Sequence, residues 1–419
     1  MRVSHFNTFS EGGAAVVMTR LDGALVRAGH DSRVRFRTGR GLSGNSKRVD
    51  FSMTPMDRAL ERVRYSFENR LLVPDPASYY SRMRLHRATP CPSEDLNCDV
   101  IHLHWVGRWL DLPSFLDCLP VQTPIIWTIH DMSPLAGGCF TYSGCEGFAS
   151  GCQRCPLLKS PFNRFLSARE FQRRLAALKQ RRLFVVGNSK FTTGLARRSG
   201  LFEHAERILT IHPSLDPEQF IPLEKCEAKQ LLGIKANSFV LGFGAAALSD
   251  VNKGLSHFYE VAERVGRRID GGVTALVFGD GPLPGDISNV KTIALGCLTN
   301  SSDQSVAYSA MDGFIVASTM ETFGQVAIEA QACGTPVWAF DVGGLGDAIN
   351  SGVTGHLIPF PDVAMMAHSI SAAHESGIMQ DMGASAVDWV RAHFSVEEMG
   401  LRYAELYTEA VNLKSVGIA

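Results

Sequence analysis

Two glutamates eight positions apart are the residues of this chain best placed to do chemistry. They bound the segment Glu321-Thr-Phe-Gly-Gln-Val-Ala-Ile-Glu329. An apolar stretch ending at Ala317 predicts a strand before it, and alanine-rich residues 323–333, closed by Gly334, predict a helix. Glu321 would then lie just ahead of a helix whose first backbone N–H groups lack partners and attract anions.

This strand-turn-helix arrangement predicts a nucleotide site. Nucleotides bind in the crevice above the strand ends of α/β sheets. Glu329, two turns into the helix, could accept hydrogen bonds from paired ribose hydroxyls. The alternative is that both are ordinary glutamates at a helix end and on a helix surface. The Thr-Phe-Gly insert and the exit Gly334-Thr-Pro-Val337 favour the functional interpretation.

With these flanking features, the segment resembles the signature of retaining glycosyltransferases of the GT-B fold, in particular bacterial family four. Within that family it is similar to the enzymes that build exopolysaccharide, colanic-acid-type, capsule and O-antigen chains. The resemblance implies an α/β protein with two Rossmann-like domains facing each other across a cleft. It also implies a nucleotide-diphosphate sugar donor, and a C-terminal helix that crosses back to the first domain.

The resemblance extends to further donor-binding residues. Lys253, before Gly254-Leu255, is the candidate to neutralise the diphosphate, so no metal cofactor is expected for catalysis. The family usually places an arginine shortly before this lysine, and here the segment is Ala245-Ala-Ala-Leu-Ser249-Asp250. The remaining candidates are loop glycines and residues at the helix start: Gly12, Gly13, Gly279, Gly281, Phe323, Gly324 and Gln325.

His130 is the third candidate catalytic residue, with Lys253 and Glu321. It ends a predicted strand in Thr128-Ile129-His130-Asp131 and matches a family histidine that contacts the transferred sugar. Asp131 would contact the sugar as well, or instead hold His130 or the next loop. His102 and His104 recur at period two on one strand face, and burial or a place lining the cleft are both open for them.

Four cysteines fall in a glycine-rich loop spanning residues 137–156. They are Cys139, Cys145, Cys152 and Cys155, in a run too poor in apolar residues to pack itself. Because disulfides do not persist in a reducing cytoplasm, the spacing predicts a structural Zn²⁺ held by four thiolates. Free buried cysteines are the alternative. A similar Gly-Gly-Cys…Cys-Pro loop occurs in a subset of the exopolysaccharide enzymes.

A basic amphipathic helix is predicted after this loop. Its cations accompany Phe165, Leu166 and Phe171, and a solvated face or docking on anionic lipid both explain it. The cations are Arg164, Arg169, Arg173, Arg174, Lys179, Arg181 and Arg182.

Composition and charge limit the class of protein. With 45% hydrophobic and 20% charged residues, the chain has the composition of a soluble globular protein. The net charge of −1 conceals an asymmetry: residues 1–200 hold 29 Lys and Arg against 16 Asp and Glu, leaving 12 and 26 for residues 201–419. A basic half favours a phosphate-bearing or membrane-surface partner, and no nucleic-acid motif is present.

Strand and helix patterns alternate along the chain, which predicts parallel sheets flanked by helices. We expect an acceptor-side domain at 1–207, a nucleotide-sugar-binding domain at 208–394, and the returning helix at 395–419. Residues 40–95 carry no clear periodicity, and we assign them no role beyond an insertion flanking the cleft. The amino terminus predicts a buried strand without a signal-peptide pattern, so we expect a cytoplasmic protein, with peripheral contact at the inner face of the membrane left open.

These features together predict a retaining glycosyltransferase. It would move a sugar from a nucleotide-diphosphate donor to a growing saccharide or a polyprenyl-diphosphate-linked acceptor. Two alternatives remain at this point: a nucleotide-sugar epimerase or sugar-phosphate synthase with the same fold, and a degenerate partner protein without activity.

Overall fold

The computed structural model of the protein describes residues 1–39, 46–49, 96–159, 165–216 and 218–413, together with residues 56, 59, 60, 63 and 66. Most of the predicted insertion at 40–95, and Arg164 of the basic helix, therefore lie outside the described residues. The chain divides into two compact units. The first comprises Met1–His212 and Glu397–Ala419, and the second comprises Pro213–Val396.

A seven-stranded parallel sheet forms the centre of the first unit, in the order β3-β2-β1-β4-β5-β6-β7. The inner strands are apolar on both faces, as expected for a sheet covered by helices on each side. The strands are β1 Arg2–Phe9, β2 Asp31–Thr38, β3 Lys47–Arg48, β4 Val100–Leu103, β5 Ile125–Ile129, β6 Leu183–Gly187 and β7 Arg207–Thr210.

The helices of the first unit begin at residues suited to helix starts. Gly12 caps α1 with φ of 91°, and Ser189 caps α4 in a reciprocal capping box with Thr192. The helices are α1 Gly13–Arg27, α2 Leu112–Asp117, α3 Phe165–Leu178, α4 Lys190–Arg198 and, near the carboxyl end, α12 Val396–Asn412. Short 3₁₀ turns lie at Gly147–Ala149 and Gly200–Phe202.

The second unit repeats this plan with a six-stranded parallel sheet, in the order β10-β9-β8-β11-β12-β13. The strands are β8 Phe239–Ala247, β9 Val273–Asp280, β10 Val290–Ala294, β11 Gly313–Val316, β12 Val337–Phe340 and β13 Gly355–Ile358. The helices are α5 Lys225–Leu231, α6 Leu255–Gly266, α7 Ser301–Ser309, α8 Gln325–Ala332, α9 Leu345–Ala348, α10 Val363–Glu375 and α11 Met379–His393, with a 3₁₀ turn at Val251–Lys253.

Both sheets reverse their strand order at one point, between β1 and β4 in the first unit and between β8 and β11 in the second. Loops that leave the carboxyl ends of two such strands diverge and open a crevice, which is where α/β sheets bind ligands. The prediction of two Rossmann-like α/β units is confirmed. Each unit therefore has one sheet edge where a ligand site is expected.

Helix α12 packs on the first unit through two buried tyrosines. The Tyr407 hydroxyl lies 2.7 Å from His102 Nδ1, and the Tyr403 hydroxyl lies 2.8 Å from Thr128 Oγ1. Both phenol rings are buried among groups of β4 and β5. These hydrogen bonds fix the last described helix on the face of the first sheet.

Candidate active site

Lys253 and Glu321 meet at the switch point of the second sheet. The 3₁₀ turn that ends at Lys253 follows β8, and Glu321 lies in the loop after β11. Lys253 Nζ donates to Glu321 Oε2 at 2.8 Å, and Ser318 Oγ donates to the same oxygen at 3.2 Å. The Glu321 carboxylate raises the pKa of Lys253 above its usual range. Two of the three predicted catalytic residues are thus brought into direct contact.

The Lys253 loop is held against the β11 loop by its backbone. Thr319 N–H donates to the Asn252 carbonyl at 2.8 Å. Gly254 ends the 3₁₀ turn with φ of 73°, and a Cβ there would lie 2.0 Å from the Ala317 carbonyl oxygen. Because both the conformation and the space exclude a side chain, glycine is required directly after the lysine. Lys253 is therefore presented by a rigid turn.

A third loop fixes the backbone of Glu321. Gly344 N–H donates to the Glu321 carbonyl at 2.9 Å. Gly343 has φ of 59°, and a Cβ there would lie 1.9 Å from that same carbonyl oxygen. Gly343 and Ser318 were not predicted from the sequence as supporting residues. The signal available was the Gly343-Gly344 pair after β12, a strand next to β11 in the sheet.

The helix after Glu321 begins at Gln325, two residues later than the predicted start at Phe323. Gly324 is its cap with φ of 99°, and a Cβ there would lie 2.5 Å from Leu345 Cδ2. The Phe323 ring is buried and packs edge-on against Phe394. The Phe323 side chain therefore belongs to the core, and the helix-start contact predicted at this residue would be made by its backbone. Its backbone, with those of Gly324 and Gln325, forms the helix start.

Glu329 lies about one turn along α8 and is buried. The Tyr308 hydroxyl of α7 donates to Glu329 Oε2 at 3.2 Å. A buried carboxylate is costly unless it is hydrogen bonded, so this donor accounts for part of its stability in the core. The Tyr308 carbonyl in turn accepts from Thr335 Oγ1 at 2.7 Å, which ties the helix exit to the same cluster.

The glycines predicted to underlie the nucleotide base end β9. Gly279 and Gly281 have φ of 140° and 133°. A Cβ at Gly279 would lie 2.0 Å from the Ala245 carbonyl oxygen, whereas the nearest atom at Gly281 is 3.3 Å away. Both positions thus need glycine for backbone conformation, and Gly279 also needs it for its close approach to β8.

The glycine pair after β1 is open. Gly12 and Gly13 are exposed, and a Cβ at either would meet nothing within 4 Å. Gly12 needs glycine for its φ of 91°, while Gly13 is the first residue of α1. They lie at the switch point of the first sheet, where space remains for a ligand to approach the backbone.

His130 follows β5 in the first unit and is half-buried. Its Nε2 lies 3.1 Å from His104 Nδ1, and burial lowers its pKa to about 4, so the ring is neutral near pH 7. Burial raises the pKa of the neighbouring Asp131 to about 6. Asp131 accepts hydrogen bonds from Trp105 Nε1 at 2.5 Å and from Ser133 N–H at 2.8 Å. Asp131 therefore holds the loop, which was one of its predicted roles.

His102 and His104 are fully buried, which decides between the two places left open for them. His102 Nδ1 lies 2.7 Å from the Tyr407 hydroxyl, and its Nε2 lies 2.8 Å from Thr128 Oγ1. His104 Nε2 lies 3.2 Å from Nδ1 of His5, a residue that was not predicted from the sequence as part of the site. The signal was available, because parallel pairing of β1 with β4 sets His5 opposite His102.

All four loop cysteines line one pocket and carry free thiols. Burial and then neighbouring thiols raise the pKa of Cys139, and burial raises that of Cys152 to about 11. Cys152 and Cys145 sulfurs accept from Gly137 N–H at 3.2 Å and from Gly147 N–H at 3.4 Å. This donor set suits Zn²⁺ in chemistry.

The spacing of these sulfurs is wider than a closed zinc site requires. Among the described residues, the groups with three possible ligand atoms within 4.8 Å of one another do not include any three of these cysteines. Tetrahedral Zn–S bonds of about 2.3 Å place sulfurs about 3.8 Å apart. The loop would have to contract to bind zinc.

The basic helix α3 does not offer the predicted cationic face. Arg174 is fully buried, where it donates to the carbonyls of Ser133 and Ala136 at 2.8 and 2.5 Å and to Glu170 at 3.3 Å. Arg173 donates to Asp111 at 2.9 Å and to Glu170 at 3.1 Å. The assignment of Arg174 to a lipid-facing or solvated surface is therefore wrong, whereas the side chain of Arg173 is paired but remains 27% exposed.

Part of the second unit is similar to a known protein family. Residues 239–376, from β8 to the last turn of α10, match the family described as glycosyl transferases group 1. The matched range contains Lys253, Glu321 and Glu329. The second unit is therefore similar to group 1 glycosyl transferases over this range.

Curated relatives match the chain over a similar extent. A D-inositol 3-phosphate glycosyltransferase of Catenulispora acidiphila is 34% identical over 180 residues, which cover 40% of this chain and 43% of the relative. One from Thermobispora bispora is 29% identical over 222 residues, covering 49% and 51%. The chain thus matches about half or less of the length of these relatives.

Solved structures are similar over nearly the whole chain. A sucrose-phosphate synthase from Thermosynechococcus elongatus superposes with a TM-score of 0.67 at 18% identity, covering 98% of both chains. HepE of Anabaena in complex with UDP gives a TM-score of 0.65 at 17% identity, covering 98% of this chain and 100% of that one. At such identities the likeness establishes the fold, which is the two-unit fold of GT-B glycosyltransferases.

Proposed function

We propose that this protein is a glycosyltransferase that moves a sugar from a nucleoside-diphosphate sugar to a hydroxyl-bearing acceptor, with retention at the anomeric carbon. The observation that carries the proposal is the Lys253–Glu321 ion pair at the switch point of the second sheet. A cation that is fixed on a rigid turn, beside a helix start, suits a diphosphate ligand.

Each residue of the second unit has a separate role in this proposal. Lys253 and the amides at Gly324 and Gln325 bind the diphosphate and oppose the charge that grows on the leaving phosphate. Glu329 accepts hydrogen bonds from the ribose hydroxyls, and Gly279 and Gly281 underlie the base. Glu321 binds the sugar, and its ion pair with Lys253 couples sugar recognition to the diphosphate.

The first unit supplies His130 and the Gly12-Gly13 turn. Neutral His130 contacts a hydroxyl of the transferred sugar. The leaving phosphate oxygen and the acceptor hydroxyl share one face of the sugar in a retaining transfer, so the departing phosphate itself takes the acceptor proton. The roles of Lys253 and Glu321 require no bound metal.

Two classes of acceptor are candidates. The curated relatives are named for D-inositol 3-phosphate, a small phosphorylated acceptor. The Cys-rich loop resembles that of exopolysaccharide enzymes, whose acceptors are saccharides or polyprenyl-diphosphate-linked glycans. We propose the second class, since the curated match covers only 40% of this chain. The basic balance of residues 1–200 suits a phosphate in either acceptor.

Peripheral contact with an anionic membrane would accompany a lipid-linked acceptor. Among the predicted cations of the basic helix that the structure describes, the exposed ones are Arg169 on α3 and Lys179 directly after it. No described helix is both long enough and apolar enough to cross a membrane. Sedimentation with anionic vesicles at low salt should carry the protein down and release it as ionic strength rises. Free protein at low salt would remove membrane contact from the proposal.

Structural zinc is the second part of this proposal, and it would brace the loop after His130 without entering the chemistry. We expect about one zinc per chain, bound by Cys139, Cys145, Cys152 and Cys155. Elemental analysis of protein purified without added metal measures it, and replacement of Cys139 with Ser should lower the zinc content. Zinc-free, fully active protein would show that these residues are structural thiols.

The test of the activity is incubation of the purified protein with a panel of nucleotide sugars. Release of nucleoside diphosphate by slow hydrolysis is expected, and it should rise when a suitable acceptor is added. An epimerase would instead yield a different sugar nucleotide, and a synthase would consume a sugar phosphate. A degenerate partner protein would bind nucleotide without turning over any donor, which would overturn the proposal.

A further inference from the structure

Three imidazoles form a continuous row inside the first unit. His5 lies on β1, His104 directly follows β4, and His130 directly follows β5, so the row crosses three adjacent strands. His5 Nδ1 lies 3.2 Å from His104 Nε2, and His104 Nδ1 lies 3.1 Å from His130 Nε2. His5 and His104 are fully buried.

All three rings are neutral near pH 7. Burial lowers the pKa of His5 to about 3 and that of His130 to about 4, and it lowers the pKa of His104 well below its usual value. A neutral imidazole carries one N–H and one lone pair. Each of the two nitrogen–nitrogen contacts needs one proton, so the N–H groups must all point the same way along the row.

Only two proton arrangements satisfy this condition. In the first, His5 Nδ1–H donates to His104 Nε2, and His104 Nδ1–H donates to His130 Nε2, which leaves the His130 proton on Nδ1. In the second, both donations reverse: His130 carries its proton on Nε2, and His5 carries its proton on its own Nε2. The two ends of the row are therefore coupled.

The environment of His5, at the buried end of the row, decides between the two proton arrangements. Among the described residues, His5 Nε2 has no hydrogen-bond partner in the protein. The first arrangement leaves a lone pair there, and the second leaves an N–H. A buried donor without a partner is rarer in proteins than an under-satisfied acceptor. The first arrangement is thus favoured.

His102 stands outside the row, although its ring stacks on that of His104 with centroids 4.1 Å apart. Both of its nitrogens are already bonded, to the Tyr407 hydroxyl and to Thr128 Oγ1. One nitrogen each of His5, His102 and His104 lie within 4.8 Å of one another. A cation between them would have to break one of the hydrogen bonds of His102, so a proton row explains the geometry with fewer changes.

We propose that His104 and His5 are positioning residues that lock His130 in the tautomer with its proton on Nδ1. Reversal to the other tautomer is prevented, because a proton on His130 Nε2 would force a proton onto His5 Nε2 at the buried end of the row. His130 then acts as a hydrogen-bond donor from Nδ1 and holds no lone pair there. This inference rests on the proposed function only for what His130 contacts, namely an oxygen of the sugar.

The tautomer is measured by ¹⁵N NMR of the full-length protein with labelled histidine, without ligand, near pH 7. The His130 resonance, assigned by its loss in His130→Asn, should show a protonated Nδ1 and an unprotonated Nε2. His104→Phe removes the donor and should shift His130 towards protonation at Nε2. His104→Gln, whose side-chain amide can donate in place of the imidazole, should restore the Nδ1–H form.

Activity gives a second readout. His104→Phe should lower kcat about tenfold or more with little change in the donor KM, and His104→Gln should recover most of the loss. If His104→Phe fails to fold, His5→Phe serves instead, since it removes the first donor of the row and should produce a mixture of His130 tautomers.

Several outcomes would overturn the proposal. They are an Nε2–H tautomer of His130 in the wild type, a His130 spectrum unchanged in a folded His104→Phe or His5→Phe variant, and zinc binding that shifts His5, His102 and His104 together. Normal tautomer data in a protein that transfers no sugar would support the row and reject the proposed function, so the two failures are distinguishable.

Discussion

Lys253 does not stand as an isolated cation awaiting a phosphate, because Glu321 already neutralises it at 2.8 Å. Both side chains are partly accessible, so solvent screening moderates the strength of this pair. A bound diphosphate must share or displace the carboxylate. A bound diphosphate and the Glu321 carboxylate therefore compete for Lys253. The sequence alone did not reveal this competition, because the two residues are 68 positions apart in the chain.

That competition predicts different effects for the two partners. Lys253→Ala should weaken nucleoside-diphosphate binding about tenfold and lower transfer about 100-fold, since it removes charge that opposes the leaving group. Glu321→Gln should leave nucleoside-diphosphate affinity unchanged or tighter while lowering turnover of the intact donor. Calorimetry and donor hydrolysis measure the two effects. Equal losses for both ligands in Glu321→Gln would contradict its role at the sugar.

Glu329 tests the nucleotide end of the site. Glu329→Gln should weaken nucleoside-diphosphate binding by about 1.5–3 kcal/mol, because hydrogen bonds from ribose hydroxyls to a charged carboxylate are lost. Titration calorimetry measures it. Tyr308→Phe is the matched control: it removes the 3.2 Å donor to Glu329 but keeps the carboxylate, so it should cost less nucleotide affinity. Unaltered affinity in folded Glu329→Gln would remove the ribose assignment.

Among the elements, the inner strands could be predicted from apolar runs. The sequence predicts strands at Ile125–Ile129, Leu183–Gly187 and Val337–Phe340, and β5, β6 and β12 have these bounds. The strands that escaped prediction lie at sheet edges: β3 has two residues, β7 is partly exposed, and β13 is four residues long. Edge strands carry less apolar burial, so their sequences give a weaker signal.

The site residues also divide into those that the sequence predicts and those that it does not. Positions fixed by backbone, such as Gly254 and Gly324, were visible as glycines at turn positions. Contacts between distant segments were not visible, because they depend on register: His5 meets His104 only through the pairing of β1 with β4. The same limit explains Arg174, whose charge suggests solvent although its partners are carbonyls 38 and 41 residues earlier in the chain.

Helix α3 gives a prediction at the scale of elements. Arg174→Met should destabilise the first unit by about 3–5 kcal/mol, because it leaves Glu170 with a weaker partner set and frees two buried carbonyls. Arg169→Gln, on the exposed face of the same helix, is the control and should change stability by less than about 0.5 kcal/mol. Urea unfolding compares them. Equal stability of the two variants would return Arg174 to a surface role.

At the scale of the whole molecule, the two halves of the chain differ in charge, and the clustered histidines with lowered pKa values lie in the first half. The chain is basic in residues 1–200 and acidic in residues 201–419, although its net charge is −1. The buried histidines His5, His102 and His104 and the half-buried His130 all belong to the first unit. Each has its pKa lowered by burial, with no opposing shift on another histidine of the row. The first unit therefore concentrates groups that resist protonation while folded.

These shifts predict that acid destabilises the first unit. The folded pKa values, about 3 for His5 and about 4 for His130, lie below the unfolded value of 6.5. Below pH 6.5 the unfolded chain binds the protons, so stability falls as pH falls, by up to about 1.4 kcal/mol per pH unit for each histidine. Asp131 acts oppositely: with its pKa raised to about 6, the folded state holds its proton and gains relative stability as pH falls through that range.

The four histidines outweigh Asp131 and Asp22, whose pKa is also raised by burial, so the urea midpoint of the first unit should drop between pH 7 and pH 5. Pulse proteolysis in urea, with fragments assigned by mass, separates the two units. His5→Phe removes one proton-binding difference and should flatten the pH dependence, whereas His204→Gln, at an exposed side chain, should leave it unchanged. A midpoint that stays constant from pH 7 to pH 5 would mean that the imidazoles of the row can be protonated without unfolding, and the neutral row would then be wrong.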